Sequence, residues 1–141
     1  MNAPVEVSLS LGSNLGDREK TLRLAIQYLS DEILSDMLIS TFHHTEPVDC
    51  PSGTHEFLNA AVVGKTSLSP INLLKACQEI EFRLGRPENH GYHTNRTIDI
   101  DILTYGKLTC TSNELTLPHP EMSEREFVLN PLSEILPGME N

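Results

Sequence analysis

Cysteine is scarce in this chain of 141 residues, and what there is stands far apart, at Cys50, Cys77 and Cys110. An odd number of cysteines without a C-x-x-C pair supports neither a disulfide framework nor a zinc ribbon. His43, His44, Cys50 and His55 do fall close together in the sequence. Their spacings match no zinc pattern, and they read as polar residues of loops and strand ends. Basic residues are also few, 10 against 20 acids, for a formal net charge of −10. A chain this acidic lacks the basic surface that a phosphate backbone requires, so nucleic acid is excluded as the main partner. A single nucleotide is not excluded, because it needs only a few well-placed cations and a metal. Tryptophan is absent, and no apolar run approaches the roughly 20 residues that cross a bilayer. The start, Met1-Asn2-Ala3-Pro4-Val5, has no basic stretch and no apolar signal core. A cytoplasmic protein without a membrane partner is expected. Repeats and low-complexity tracts are missing too, and the length suits one domain over 1–141.

What is present is concentrated in Arg96-Thr97-Ile98-Asp99-Ile100-Asp101-Ile102-Leu103. Isoleucines alternate with Thr97, Asp99 and Asp101, the period of a β-strand. Residues two apart on a strand share a face, so the two carboxylates stand side by side. Adjacent anions repel unless a cation lies between them. A hard divalent ion such as Mg²⁺ takes one or two carboxylates and completes its octahedron with water and substrate phosphates. Arg96 could offer a forked donor to those phosphates. The same pattern, taken alone, also fits a strand whose acids simply stay in water.

Along the chain, Val5, Val7, Leu9 and Leu11 alternate with polar residues as a first strand. The turn Gly12-Ser13-Asn14-Leu15-Gly16-Asp17 leads into a helix that Asn14 or Asp17 could cap. Leu22, Ala25, Ile26 and Leu29 form one face of that helix. A second strand is expected from about Met37 to His44, a loop from Thr45 to His55, and a third strand from Phe57 to Val63. On the third strand Phe57, Asn59, Ala61 and Val63 share one face, and Leu58, Ala60 and Val62 share the other. Ser69-Pro70 starts a second helix with Leu73, Cys77, Ile80 and Leu84 on its core side, and Gly85 ends it. Gln78 and Glu81 lie on a flanking face, where both could reach one ligand. Arg86 to Asn95 reads as a loop, Thr97 to Leu103 as the acidic strand, and Gly106-Lys107 as a turn into a ribbon at 108–110. Leu117-Pro118-His119-Pro120 is an extended corner. Arg125 to Asn130 fits either strand or loop, with a helical turn from Pro131 to Leu136 that places the proline first. The order strand, helix, strand, strand, helix, strand predicts an α+β, ferredoxin-like fold. Its mainly antiparallel sheet would carry both helices on one face and leave the other to a ligand, beside Asn59, Asp99 and Asp101.

The set of motifs resembles the 6-hydroxymethyl-7,8-dihydropterin pyrophosphokinase family of the folate pathway. The resemblance rests on the arginine and Asp-x-Asp of 96–103 and on Leu9-Ser10-Leu11-Gly12-Ser13-Asn14-Leu15-Gly16-Asp17-Arg18. Thr45-Glu46-Pro47, Phe57-Leu58-Asn59-Ala60-Ala61, Glu79-Ile80-Glu81, Gly85-Arg86, Leu117-Pro118-His119-Pro120 and Arg125-Glu126-Phe127-Val128-Leu129 follow in order. It spans nearly the whole chain. It implies transfer of pyrophosphate from ATP to the pterin hydroxymethyl oxygen, with release of AMP. Asp99 and Asp101 would hold two Mg²⁺ ions, and Arg86 and Arg96 would handle the phosphates. Gln78, Glu81, Ile102, Leu115, Thr116, His119 and Arg125 would serve ATP. Thr45, Val48, Phe57, Asn59 and Phe127 would serve the pterin, with Asn59 reading the ring's donors and acceptors and Phe127 stacking on it.

This chain departs from the family in several places. Phe57 stands where many members have Tyr. Glu88, Tyr92 and His93 replace Arg, Arg and Trp of familiar bacterial members, and Glu46 replaces a common Pro. The chain stops soon after Ile135-Leu136-Pro137, so a usual C-terminal extension is short or absent. A monomer is expected. Two rival readings remain at this point, a two-metal phosphohydrolase and a non-catalytic ferredoxin-like ligand-binding module. The first needs the aspartates without the pocket around Phe57, Asn59 and Phe127, and the second needs no aspartate pair.

Overall fold

The computed structural model describes residues 3–13, 17–45, 57–85, 98–112, 115–119 and 126–135, apart from the side chains of Thr45, Phe57 and residues 126–130. The elements are β1 (Val5–Ser13), α1 (Arg18–Glu32), β2 (Ser35–Ile39), β3 (His43–Thr45), β4 (Phe57–Thr66), α2 (Pro70–Arg83), β5 (Asp99–Tyr105), β6 (Cys110–Thr111), β7 (Thr116–Leu117) and α3 (Glu126–Ile135). The main sheet has the order β2-β4-β1-β5, with β3 also on β4. All of its pairings are antiparallel. With β3 taken as a continuation of β2, this is the ferredoxin-like order, in which the first and last strands lie together and the third joins the first to the second.

Local chemistry sets the helix limits. Asp17 caps α1 by accepting from the Lys20 amide at 3.1 Å. Ser69 caps α2 by accepting from the Asn72 amide at 3.3 Å, and Pro70 follows it. Each such cap stabilises a helix by about 1 kcal/mol. Past α2, Gly85 takes φ 108°, a conformation open to glycine at little cost.

The two sheet faces differ as the alternation predicted. Val7, Leu9, Leu11, Leu58, Ala60, Val62, Ile100 and Ile102 pack with Leu22, Ala25 and Leu29 of α1 and Leu73, Cys77 and Ile80 of α2. Full burial contributes about 1.5–3 kcal/mol for each large aliphatic side chain, so this layer supplies most of the stability. The opposite face carries Ala61, Val63 and Leu103 against Leu132 of α3. Ser8 and Ser10 are also buried. The Ser8 and Thr104 hydroxyls lie 2.6 Å apart there.

Three expectations need correction. The second strand is two strands, with Ser40 between them: its amide still donates to the Ala61 carbonyl, but its side chain replaces its carbonyl as the acceptor. Its hydroxyl accepts from the Ala61 amide and donates to the Thr41 carbonyl, doing with a side chain what backbone does elsewhere. The segment 125–130 is neither strand nor loop from Glu126 onward. Here α3 starts at Glu126 and carries Pro131 inside it, although a proline there withdraws one backbone donor. The ligand face is therefore not left open along its whole length, since α3 covers the part around Ala61 and Val63.

One polar cluster ties α3 to the link between β2 and β3. Glu134 accepts from the Thr41 amide at 2.8 Å, from the Thr41 hydroxyl and from the His43 ring. Partial burial pushes its carboxyl up, but the Thr41 amide, the Thr41 hydroxyl and His43 outweigh it and leave the group below its ordinary value of 4.5. A depressed carboxyl stabilises the fold above the ordinary value and loses that effect as pH falls through the lowered one. Glu134→Ala is therefore expected to lower Tm by a few degrees at pH 7, and the gap should narrow below pH 4.5. Thermal melts at pH 7 and pH 3 check this.

Candidate active site

Two strands, β4 and β5, flank β1. Gly12 pairs with Asn59 on β4 and with Asp99 on β5, and Ser10 pairs with Ala61 and Asp101. Asn59, Gly12 and Asp99 therefore form one row across the sheet, with Asp101 two residues along. Strand geometry puts Asn59 and Asp99 roughly 10 Å apart, with no side chain from Gly12 between them, and the two aspartates roughly 7 Å apart along β5. Asn59 is 3% exposed, whereas Asp99 is half-buried and Asp101 exposed. The row thus runs from a buried amide to a half-buried carboxylate, with an exposed one two residues along.

The edge at β5 is held from two sides. His119 donates its amide to the Leu103 carbonyl at 2.8 Å, bringing the segment after β7 against the strand. Glu81 of α2 is 4% exposed, and its carboxylate accepts from the Ile100 amide at 2.8 Å. An unpaired buried amide costs about 1–3 kcal/mol, so this bond secures a strand edge that α2 would otherwise bury unsatisfied. Cys77, one turn earlier on α2, has its thiol pushed up to about 12 by burial, then by the negative charges of Glu81 and Asp101. It is a neutral core residue and no nucleophile.

The other expected residues fall as follows. Gln78 is exposed on α2, while Leu115 and Thr116 are half-buried at β7. The Ile102 side chain belongs to the core under the helices, on the face away from the aspartates. Phe57 and Thr45 pair on β4 and β3, and Phe127 is on α3. Val48, Arg86, Arg96 and Arg125 lie outside the described residues, as does Thr97. Sequence reasoning missed the place of Gly12 at the centre of the row, and of Ser10 between Ala61 and Asp101. The signal was available in the first strand and turn, but pairing partners do not show in one sequence.

A groove of about 990 Å³ lies at the other edge of the sheet, between α1 and the β2–β3 link, lined by Arg23, Ile26, Met37 and Phe42 among others. It contains none of the expected site residues. Among the described residues no group of three or more His, Cys, Asp or Glu side chains is arranged to hold a metal. A pair of carboxylates is nevertheless a suitable donor set for a hard ion that takes its other ligands from water and phosphate. No helix among the described residues is long and apolar enough to cross a membrane.

Comparison with known proteins bears on the whole chain. The model of the family described as 7,8-dihydro-6-hydroxymethylpterin-pyrophosphokinase (HPPK) matches residues 8–137. A 2-amino-4-hydroxy-6-hydroxymethyldihydropteridine pyrophosphokinase of Porphyromonas gingivalis is 45% identical over 138 residues, covering 94% of this chain and 92% of its own. A protein of the same name from Bacillus subtilis is 41% identical over 133 residues, covering 94% of this chain and 78% of its own. Among solved structures, Plasmodium falciparum HPPK-DHPS with pteroate superposes with a TM-score of 0.72 at 15% identity, which speaks to the fold alone. That match covers 94% of this chain but 41% of the longer one, so this chain spans about two fifths of it. An HPPK-DHPS in complex with substrates gives a TM-score of 0.73 at 16% identity, covering 99% of this chain and 41% of the other. A family match over residues 8–137 and 45% identity to a relative covered over 92% of its length show that this chain belongs to the HPPK family.

Proposed function

We infer that this chain transfers pyrophosphate from ATP to the hydroxymethyl oxygen of 6-hydroxymethyl-7,8-dihydropterin, giving AMP and the pterin diphosphate. The observation that carries the reading is the row Asn59–Gly12–Asp99, which sets a buried amide on one sheet face with the half-buried carboxylate of Asp99 and, two residues along, the exposed one of Asp101. Such a row suits two substrates that meet end to end, one read by hydrogen bonds and one held through its phosphates.

Asn59 would recognise the pterin. An amide both donates and accepts, which matches the mixed edge of the ring, and its burial excludes competing water. Phe57 and Phe127 would pack on the ring, with Thr45 and Val48 around it. Asp99 and Asp101 would hold two Mg²⁺ ions. When bound, these ions neutralise charge on the phosphate oxygens and polarise the attacking hydroxyl. Arg86 and Arg96 would fork onto the same oxygens. Gln78, Thr116, His119 and Arg125 would meet the rest of ATP, together with the backbone of Ile102 and Leu115. Glu81 would serve this side indirectly, through its buried bond to the Ile100 amide, and not as an ATP contact. The protein's work in this scheme is alignment and charge compensation rather than covalent chemistry. The reading takes residues 1–141 as one pyrophosphokinase domain, monomeric and cytoplasmic.

Incubation with ATP, Mg²⁺ and the pterin alcohol should yield AMP and the pterin diphosphate. ADP with a pterin monophosphate would overturn the reading in favour of simple kinase chemistry. Free phosphate or pyrophosphate without a pterin product would favour hydrolysis.

The segment after α2 offers a separate test. With Glu88 standing where familiar members have Arg, Arg86 must carry more of the phosphate contact, helped by His90 or His93 when protonated. Arg86→Ala is expected to slow the chemical step strongly, and Glu88→Ala to leave it unchanged or faster. Single-turnover rates at saturating ATP decide. An Arg86→Ala rate within about twofold of wild type, less than ~0.5 kcal/mol on the barrier, removes that role.

A further inference from the structure

We propose that Glu81 is a positioning residue for the aspartate pair, and that it acts by holding the Ile100 backbone amide rather than by touching a ligand. The inference rests on the reading of Asp99 and Asp101 as the metal-binding residues. Ile100 is the residue between them, so whatever fixes its peptide fixes the separation and direction of both carboxylates. The fixing bond spans two elements. It runs from the side chain of α2 to the backbone of β5, with the carboxylate 2.8 Å from the amide. Glu81 is 4% exposed and projects from the helix that carries Cys77 and Ile80 into the core. The Ile100 side chain anchors the same peptide from the helix face of the sheet.

This strand needs such a support. It is an end strand of the main sheet, paired along one side with β1. Its register on β1 shifts between Ser8 and Leu9, where Leu103 is the extra residue. A bulge bends a strand and raises its local twist. The two aspartates thus lie just before an irregularity, and α2 braces the peptide between them. Groups that orient metal ligands without contacting the metal commonly matter about 10- to 100-fold in affinity or activity.

Two substitutions separate reach from charge. Glu81→Gln keeps the length of the side chain and a carbonyl oxygen that accepts the Ile100 amide, while removing the charge. Glu81→Asp keeps the charge and withdraws the acceptor by one methylene. The readouts are Mn²⁺ binding, followed by electron paramagnetic resonance in the presence of a non-hydrolysable ATP analogue, and hydrogen exchange at the Ile100 amide. Thermal melts establish that both variants are folded. Glu81→Asp is expected to weaken Mn²⁺ binding about 10- to 100-fold and to speed Ile100 exchange. Glu81→Gln should stay within about threefold of wild type in both. Metal-free binding of the analogue should be unchanged in either.

The proposal is overturned if Glu81→Asp matches wild type, or if Glu81→Gln is the more damaged of the two, which would make charge the active property. Loss of metal-free analogue binding would also overturn it, in favour of direct contact. Asp99→Ala in the same assay isolates the underlying reading. If that variant bound Mn²⁺ like wild type, the metal assignment itself would fail, and the proposal with it, whatever the Glu81 variants did.

Discussion

Replacing Asp99 or Asp101 with alanine is expected to lower kcat/KM by about three orders of magnitude, roughly 4 kcal/mol on the barrier. The size follows from what the carboxylates would do. The transferred group carries several negative charges, and the aspartates would hold the cations that compensate them. Stability should change little by comparison. Asp101 is exposed and Asp99 half-buried, and each substitution removes a like-charged neighbour of the other. Tm is expected to stay within about 3 °C of wild type. Steady-state kinetics with melting curves on the same preparations check both parts. Turnover near wild type in either variant would remove the metal assignment.

The second large effect concerns substrate choice. Asn59→Ala is expected to weaken pterin binding about 10- to 100-fold while leaving ATP binding within about twofold. Ring donors and acceptors that lose a buried partner cost about 1–3 kcal/mol each, and tenfold in affinity is 1.4 kcal/mol. The residue is almost wholly buried in β4, so some loss of stability accompanies the change. Asn59→Asp controls for that. It keeps the shape and an acceptor, replaces the amide's donors and adds a buried charge, so melting curves on both variants are needed to separate lost stability from lost binding. Calorimetric titration of each ligand distinguishes a pterin-specific loss from a general one. Equal weakening for both ligands would count against the assigned role.

Much of this arrangement was legible in the residues themselves. The alternation of isoleucine and aspartate through 98–103 set β5 and its two faces, because burial on one face of a strand leaves a period of two. Ser69-Pro70 announced α2, since a cap and a first-turn proline have few other uses. The faces of β4 followed from the same period, which put Asn59 and Ala61 together. What escaped was side chain standing in for backbone. Ser40 takes a place in the ladder and Glu81 holds an end strand, yet a serine and a glutamate read in sequence as solvated. Nothing local distinguishes an acid that faces water from one that meets an amide 19 residues away. The first half of the third helix, before Pro131, escaped for a related reason. Pro131 is a poor interior helix residue by local preference, and burial of Pro131 and Leu132 under the sheet overrides that preference.

The most direct test is a crystal structure of the chain with Mg²⁺, a non-hydrolysable ATP analogue and the pterin alcohol. The account predicts metal density bridging Asp99 and Asp101 to the phosphates, with the pterin ring against Asn59 and its hydroxymethyl oxygen directed at the β-phosphorus. A pterin bound elsewhere on the chain, or phosphates bound without metal at the two aspartates, would contradict it.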